Sequence, residues 1–100
     1  MAFQISSVKT RYFEFEDPAT GSVLHLEPPK LKTINKFEKL DNRSTPEELA
    51  AVIAKMVSKN KEMREVTAEE IMDWMNSDQI SAFIKAFMGW LNGVRASDPN

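Results

Sequence analysis

Cysteine is absent from all 100 residues, which removes disulfides, thiolate metal sites and cysteine nucleophiles together and leaves a fold that needs no oxidising compartment. Histidine occurs once, at position 25; a single imidazole with no carboxylate cluster at ligand spacing reads as a surface or hairpin residue, not as a metal ligand. The three glycines, Gly21, Gly89 and Gly93, stand in neither GxGxxG nor GxxxxGK order, so nothing points to a nucleotide. No run approaches the roughly 18 uncharged apolar residues of a membrane span, and "MAFQISSVKTRYFEF" lacks the basic-then-apolar order of a secretory signal. An excess of one charge sign is missing too. The 13 basic and 15 acidic residues are intermixed and sum to −2, too weak a field to recruit nucleic acid or an anionic membrane. The pairs Glu47-Glu48 and Glu69-Glu70 open helices, where the helix dipole accounts for them without acid/base chemistry. The expectation is a soluble, intracellular, non-enzymatic protein with no cofactor, metal or small-molecule substrate.

What is present describes a single small domain spanning residues 1–100. Hydrophobic residues make up 42% and charged residues 28%, too apolar for a disordered chain. In "RYFEFEDPATGSVLHLE" Phe13 and Phe15 alternate with Glu14 and Glu16, and Leu24 and Leu26 with His25 and Glu27; this period of two marks strands. Asp17-Pro18-Ala19-Thr20-Gly21 between them carries turn chemistry, so residues 1–27 read as a β-hairpin region, with Phe3 and Ile5 a candidate third strand. A hairpin alone is marginal in water and must lay its Phe/Leu face on helices.

Residues 30–95 read as the helical region. Pro28-Pro29 stops the second strand, and Leu31, Ile34, Phe37 and Leu40 follow at a strict spacing of three, which drifts around a helix instead of holding one stripe. Around them Lys30, Lys32, Lys36, Lys39 and Arg43 make a basic stretch that Glu38 and Asp41 interrupt, the pattern of a solvated helix face. Thr45, Pro46 and Glu48 form a capping box with proline at the first helical position, and Leu49, Val52, Ile53, Met56 and Val57 continue as an apolar stripe. Asn60 and "KNKEMRE" read as the end of this helix and a solvated connection. Thr67 with Glu70 opens a short helix burying Ile71, Trp74 and Met75; Asn76 with Gln79 opens the last one after a sharp turn. The terminal "RASDPN" is expected to fray. The fold class is α+β: a hairpin packed on a bundle of three to four helices.

The last helix, "DQISAFIKAFMGWLNGV", is the most unusual segment. On a helical wheel Ile80, Phe83, Ile84, Phe87, Leu91 and Val94 share a bulky stripe flanked by Met88 and Trp90, while Ala82, Ala86, Gly89 and Gly93 form a groove of small side chains behind it, with Lys85 nearby. Small residues let a second helix approach closely. Methionines at 56, 63, 72, 75 and 88 supply adaptable packing, either for an imprecisely specified partner or for gaps in a small core. The bulky stripe itself has the pattern of a core.

The order of a capped helix, a charged connection, "VTAEEI" and the aromatic-rich "DQISAFIKAFMGWL", over residues 45–91, resembles the short tail assembly chaperones of long-tailed bacteriophages and prophages. The resemblance implies a protein of the bacterial cytoplasm that binds the long helical tape measure protein, keeps it from aggregating, and is displaced as tail tube subunits polymerise. It makes the tail tube protein a second candidate partner, leaves a homo-oligomer open, and raises the existence of a longer frameshifted form. The family has no ligand or catalytic motif to transfer. Partner contacts are therefore placed at Phe83, Phe87, Met88 and Trp90, with Ala82, Ala86, Gly89 and Gly93 as an alternative close-packing face. Two other readings stand beside it: a head-to-tail joining or tail-terminating protein retained in the virion, which needs head-to-tail self-contacts, and a small host regulatory binding protein.

Overall fold

A computed structural model describes residues 2–40 and 43–96 of the chain, with side chains as far as Gly93. Two strands, β1 (Phe13–Glu16) and β2 (Val23–Leu26), form an antiparallel hairpin in which Phe13 faces Leu26 and Phe15 faces Leu24. Four helices follow: α1 (Leu31–Glu38), α2 (Pro46–Ser58), α3 (Ala68–Trp74) and α4 (Ser77–Ala96). The α+β class and the hairpin-plus-bundle arrangement are those expected.

The local signals act as the sequence predicts. Asp17 closes the hairpin turn by accepting the Ala19 N–H at 2.8 Å, and Gly21 takes the positive φ, 76°, that the turn requires. Reciprocal capping boxes join Thr45 to Glu48 and Thr67 to Glu70. Asn76 and Gln79 do the same at α4, each backbone N–H donating to the other's side-chain oxygen at 2.9 and 2.8 Å. Each box satisfies N–H groups that a helix start otherwise leaves without partners.

α2 lies at the centre, burying Ala50, Ile53, Ala54, Met56 and Val57, with Ile71 of α3 and Leu24 and Leu26 of β2 against it. On the same face of the hairpin, over its β1 half, lies α4. Phe13 meets Phe83, Phe87 and Trp90 at ring separations of 6.1, 5.3 and 5.6 Å, and Phe15 meets Phe83 at 5.6 Å. The bulky stripe of α4 is thus the cover for the Phe side of the hairpin; Val94, assigned to that stripe, lies outside the described side chains. Of residues 95–100, expected to fray, 95 and 96 instead continue α4, and 97–100 lie outside the described residues.

Two expectations are corrected. Phe3 and Ile5 form no third strand: residues 5–7 make a single 3-10 turn and both side chains are exposed. Ser7 donates to the Gln4 carbonyl from its hydroxyl at 2.6 Å and its backbone at 3.0 Å, a local bond that competes with strand pairing. Nor is the connection after α2 simply solvated. Glu27 N–H donates to the Lys59 carbonyl and Lys61 N–H to the His25 carbonyl, at 2.9 and 3.0 Å, so residues 59–61 run along the outer edge of β2. Asn60 is buried there, its amide donating to the carbonyls of Val57 and Arg64 and its oxygen accepting the Arg64 N–H. The edge of β2, an exposed ladder in a bare hairpin, is covered by this segment. In α1, the spacing of three drifts as expected, leaving Leu31 exposed while Ile34 and Phe37 are half-buried.

Candidate partner-binding surface

The eight residues assigned to partner contact divide into two groups. Phe83 and Phe87 are buried in the aromatic cluster beneath the hairpin, Phe87 completely and Phe83 but for 8% of its surface. Met88 and Trp90 are half-buried against the same core. Trp90 is further held by Arg11, whose guanidinium lies 4.3 Å over the indole and donates to the carbonyls of Trp90 and Leu91 at 3.0 and 2.9 Å. Removing Trp90 would therefore remove core packing as well as surface. Ala82, Ala86 and Gly89, by contrast, are exposed, and Gly93 is half-exposed. A methyl group built at Gly89 or Gly93 would meet nothing within 4 Å.

These four small residues project from one side of α4 over a rise of about 16 Å. Asp78, Ser81, Lys85 and Asn92 share that exposed side, so only two charges interrupt it. The surface is open, and its small side chains would let a helix approach α4 at close range. Methionine does not concentrate on it: Met56 is buried, Met75 and Met88 are half-buried against the core, and Met63 and Met72 are exposed elsewhere.

No family model, curated protein or solved structure matches this chain.

Sequence reasoning missed two arginines that position these elements. Arg11 ties the segment before β1 to α4, and Arg64 joins the hairpin turn to α3, with its Nε 2.9 Å from Asp17 Oδ2 and a terminal nitrogen 2.9 Å from Glu70 Oε2. The Arg11 bonds to α4 and the Arg64 bond to Asp17 join residues 47 to 80 positions apart, so no local pattern announces them. Burial works to raise the pKa of Asp17, but the Arg64 hydrogen bond and charge and the Ala19 and Thr20 amides overcome it and hold the carboxyl below its ordinary value. Arg64 likewise holds Glu70 low, with help from Thr67.

His25 sits on the outer face of the hairpin as expected. Its backbone N–H donates to Glu62 at 2.8 Å, its ring Nδ1 contacts the other Glu62 oxygen, and Tyr12 packs edge-on against it at 5.9 Å. Among the described residues no group of three or more His, Asp or Glu side chains is placed to hold a metal ion, and no helix is long and apolar enough to cross a membrane.

Proposed function

We propose that this protein is a tail assembly chaperone that binds the helical tape measure protein of a long-tailed phage in the bacterial cytoplasm, keeping it soluble until tail tube subunits replace it. The observation that carries this reading is the division of α4 into two faces. Its bulky side closes the protein's own core, while its small-residue side stays uncovered, which supports a role in receiving another helix. Such a role needs neither a cofactor nor a reacting group. A structural ring component retained in the virion is favoured by a different observation: β1 has one neighbour only, leaving its outer edge unpaired among the described residues, and Phe3, Ile5 and Val8 just before it are exposed.

The test is capture of tagged protein from cells in which the source phage is assembling, before lysis, with finished particles assayed alongside. Recovery of one very long helical chain and absence from particles is the expected result; retention in particles would transfer the assignment to a ring component. Gly89→Leu locates the contact. The free protein should be as stable or more stable, by up to about 1 kcal/mol, because leucine enters open space and is the better helix former. Capture should fall at least roughly tenfold as the added side chain blocks close approach. Undiminished capture would exclude this face.

A further inference from the structure

The basic stretch that begins at Lys30 has no part in the function proposed above, and folding makes it more concentrated than the sequence shows. α1 and α2 pack so that Lys55 of α2 joins Lys36 and Lys39 around one groove of about 420 Å³. Its apolar surface comes from Leu40, Ala51 and Val52. The one acidic residue in its lining among the described residues, Glu48, has an oxygen engaged by the Thr45 N–H at 2.8 Å as part of the α2 cap. None of the three lysines forms an ion pair with a carboxylate among the described residues. The nearby Lys55 head group is the main reason that the exposed Lys36 ammonium is held below the ordinary lysine value, with some loss of hydration and Lys32 adding to it.

Two ammonium groups in contact repel, and a helix pair has ample freedom in its lysine rotamers to separate them into water. Their convergence over an apolar surface creates a positive potential where an anion would lower the energy of the free protein. The apolar surface narrows the class of anion. A polyphosphate or nucleic acid would use the charge but gain little from leucine and valine, and the lining contains no aromatic ring on which a base could stack. A peptide that carries carboxylates beside an aliphatic side chain uses both parts of the groove.

We infer that the groove between α1 and α2 docks an acidic amphipathic segment of a partner protein, with its carboxylates between Lys36, Lys39 and Lys55 and an aliphatic side chain on Leu40 and Val52. This site lies on different elements from the small-residue face of α4 and does not rest on the tape measure reading. Either can fail alone.

The probe is a fluorescein-labelled helical peptide of about 14 residues with leucine and glutamate along one face, compared with the same peptide carrying glutamine for each glutamate. Fluorescence anisotropy with the full chain should show the glutamate peptide binding roughly tenfold more tightly than the glutamine peptide at about 50 mM salt, with the difference largely lost at about 500 mM. Lys36→Gln combined with Lys55→Gln should weaken the glutamate peptide by a similar factor. The thermal midpoint of this variant should be unchanged or raised, because a like-charge contact is removed. Ala51→Glu, an exposed change on the apolar surface, should abolish binding with the lysines intact. No saturable binding, equal affinity for the two peptides, or full binding by the lysine variant would overturn the assignment. So would self-association of the free chain that the lysine variant dissolves, which would give the groove to a second copy.

Discussion

Met63 adopts a left-handed backbone, φ 63°, although it is neither glycine nor asparagine, and its side chain is 89% exposed. The conformation is imposed from both sides: Asn60 fixes the turn by accepting the Met63 N–H at 3.3 Å, and the next residue, Arg64, is bonded to Asn60, Asp17 and Glu70. A β-carbon in this region costs about 1–2 kcal/mol, and Met63 has little packing to lose. Met63→Gly should therefore raise stability by about 1 kcal/mol in urea denaturation, after allowing for glycine's extra freedom when unfolded. A loss of stability would show that the methionine side chain packs against the protein in solution. Nothing in "KNKEMRE" foretells this strain, because it arises only once Asn60 and Arg64 are held in place.

Asn60 and Asn76 look alike as sequence signals, each marking a helix boundary, and the fold gives them different weights. Asn76 caps α4 from an exposed position, so Asn76→Ala should cost about 1 kcal/mol. Asn60 is 6% exposed and satisfies three backbone groups where α2 ends and the chain turns along β2. Asn60→Ala would leave those groups without partners in a dry site and should cost about 2–4 kcal/mol. Equal losses for the two variants would mean that the segment over β2 is not held as described. The hairpin, the capping boxes and the apolar stripe of α2 could all be read directly, since each depends on residues two to four apart. The role of residues 59–61 could not, because their pairing partners, His25 in β2 and Glu27 just after it, precede two helices. For the same reason the candidate surface on α4 was only half legible. The wheel separates the two faces of α4, but only the position of Phe13 and Phe15 determines that Phe83 and Phe87 are enclosed while Ala82, Ala86 and Gly89 are not.

Hairpin, connection and α3 are joined across the molecule by Asp17, Arg64 and Glu70, and the connection is joined to β2 by Glu62 and His25. Glu62 is held low chiefly by the His25 backbone N–H, which outweighs the opposing effect of burial, with the imidazole adding to it. All three carboxyls have folded-state pKa values below their ordinary ones. The unfolded chain therefore binds protons first as pH falls, and their contribution, complete at neutral pH, should decline below about pH 5 and vanish beneath the folded values. Asp17→Asn should lower stability at pH 7 by about 1–3 kcal/mol and flatten the acid limb of a plot of urea midpoint against pH; an unchanged slope would remove Asp17 from this linkage. Local chemistry thus determined the elements and their limits, because turns, caps and stripes are satisfied within a few residues. Tertiary structure alone decided which face of α4 stayed open, what covered β2, and where Lys36 met Lys55. Those outcomes depend on contacts between distant parts of the chain, as far as the 80 positions that separate Arg11 from Leu91, and only the packed core brings them within reach.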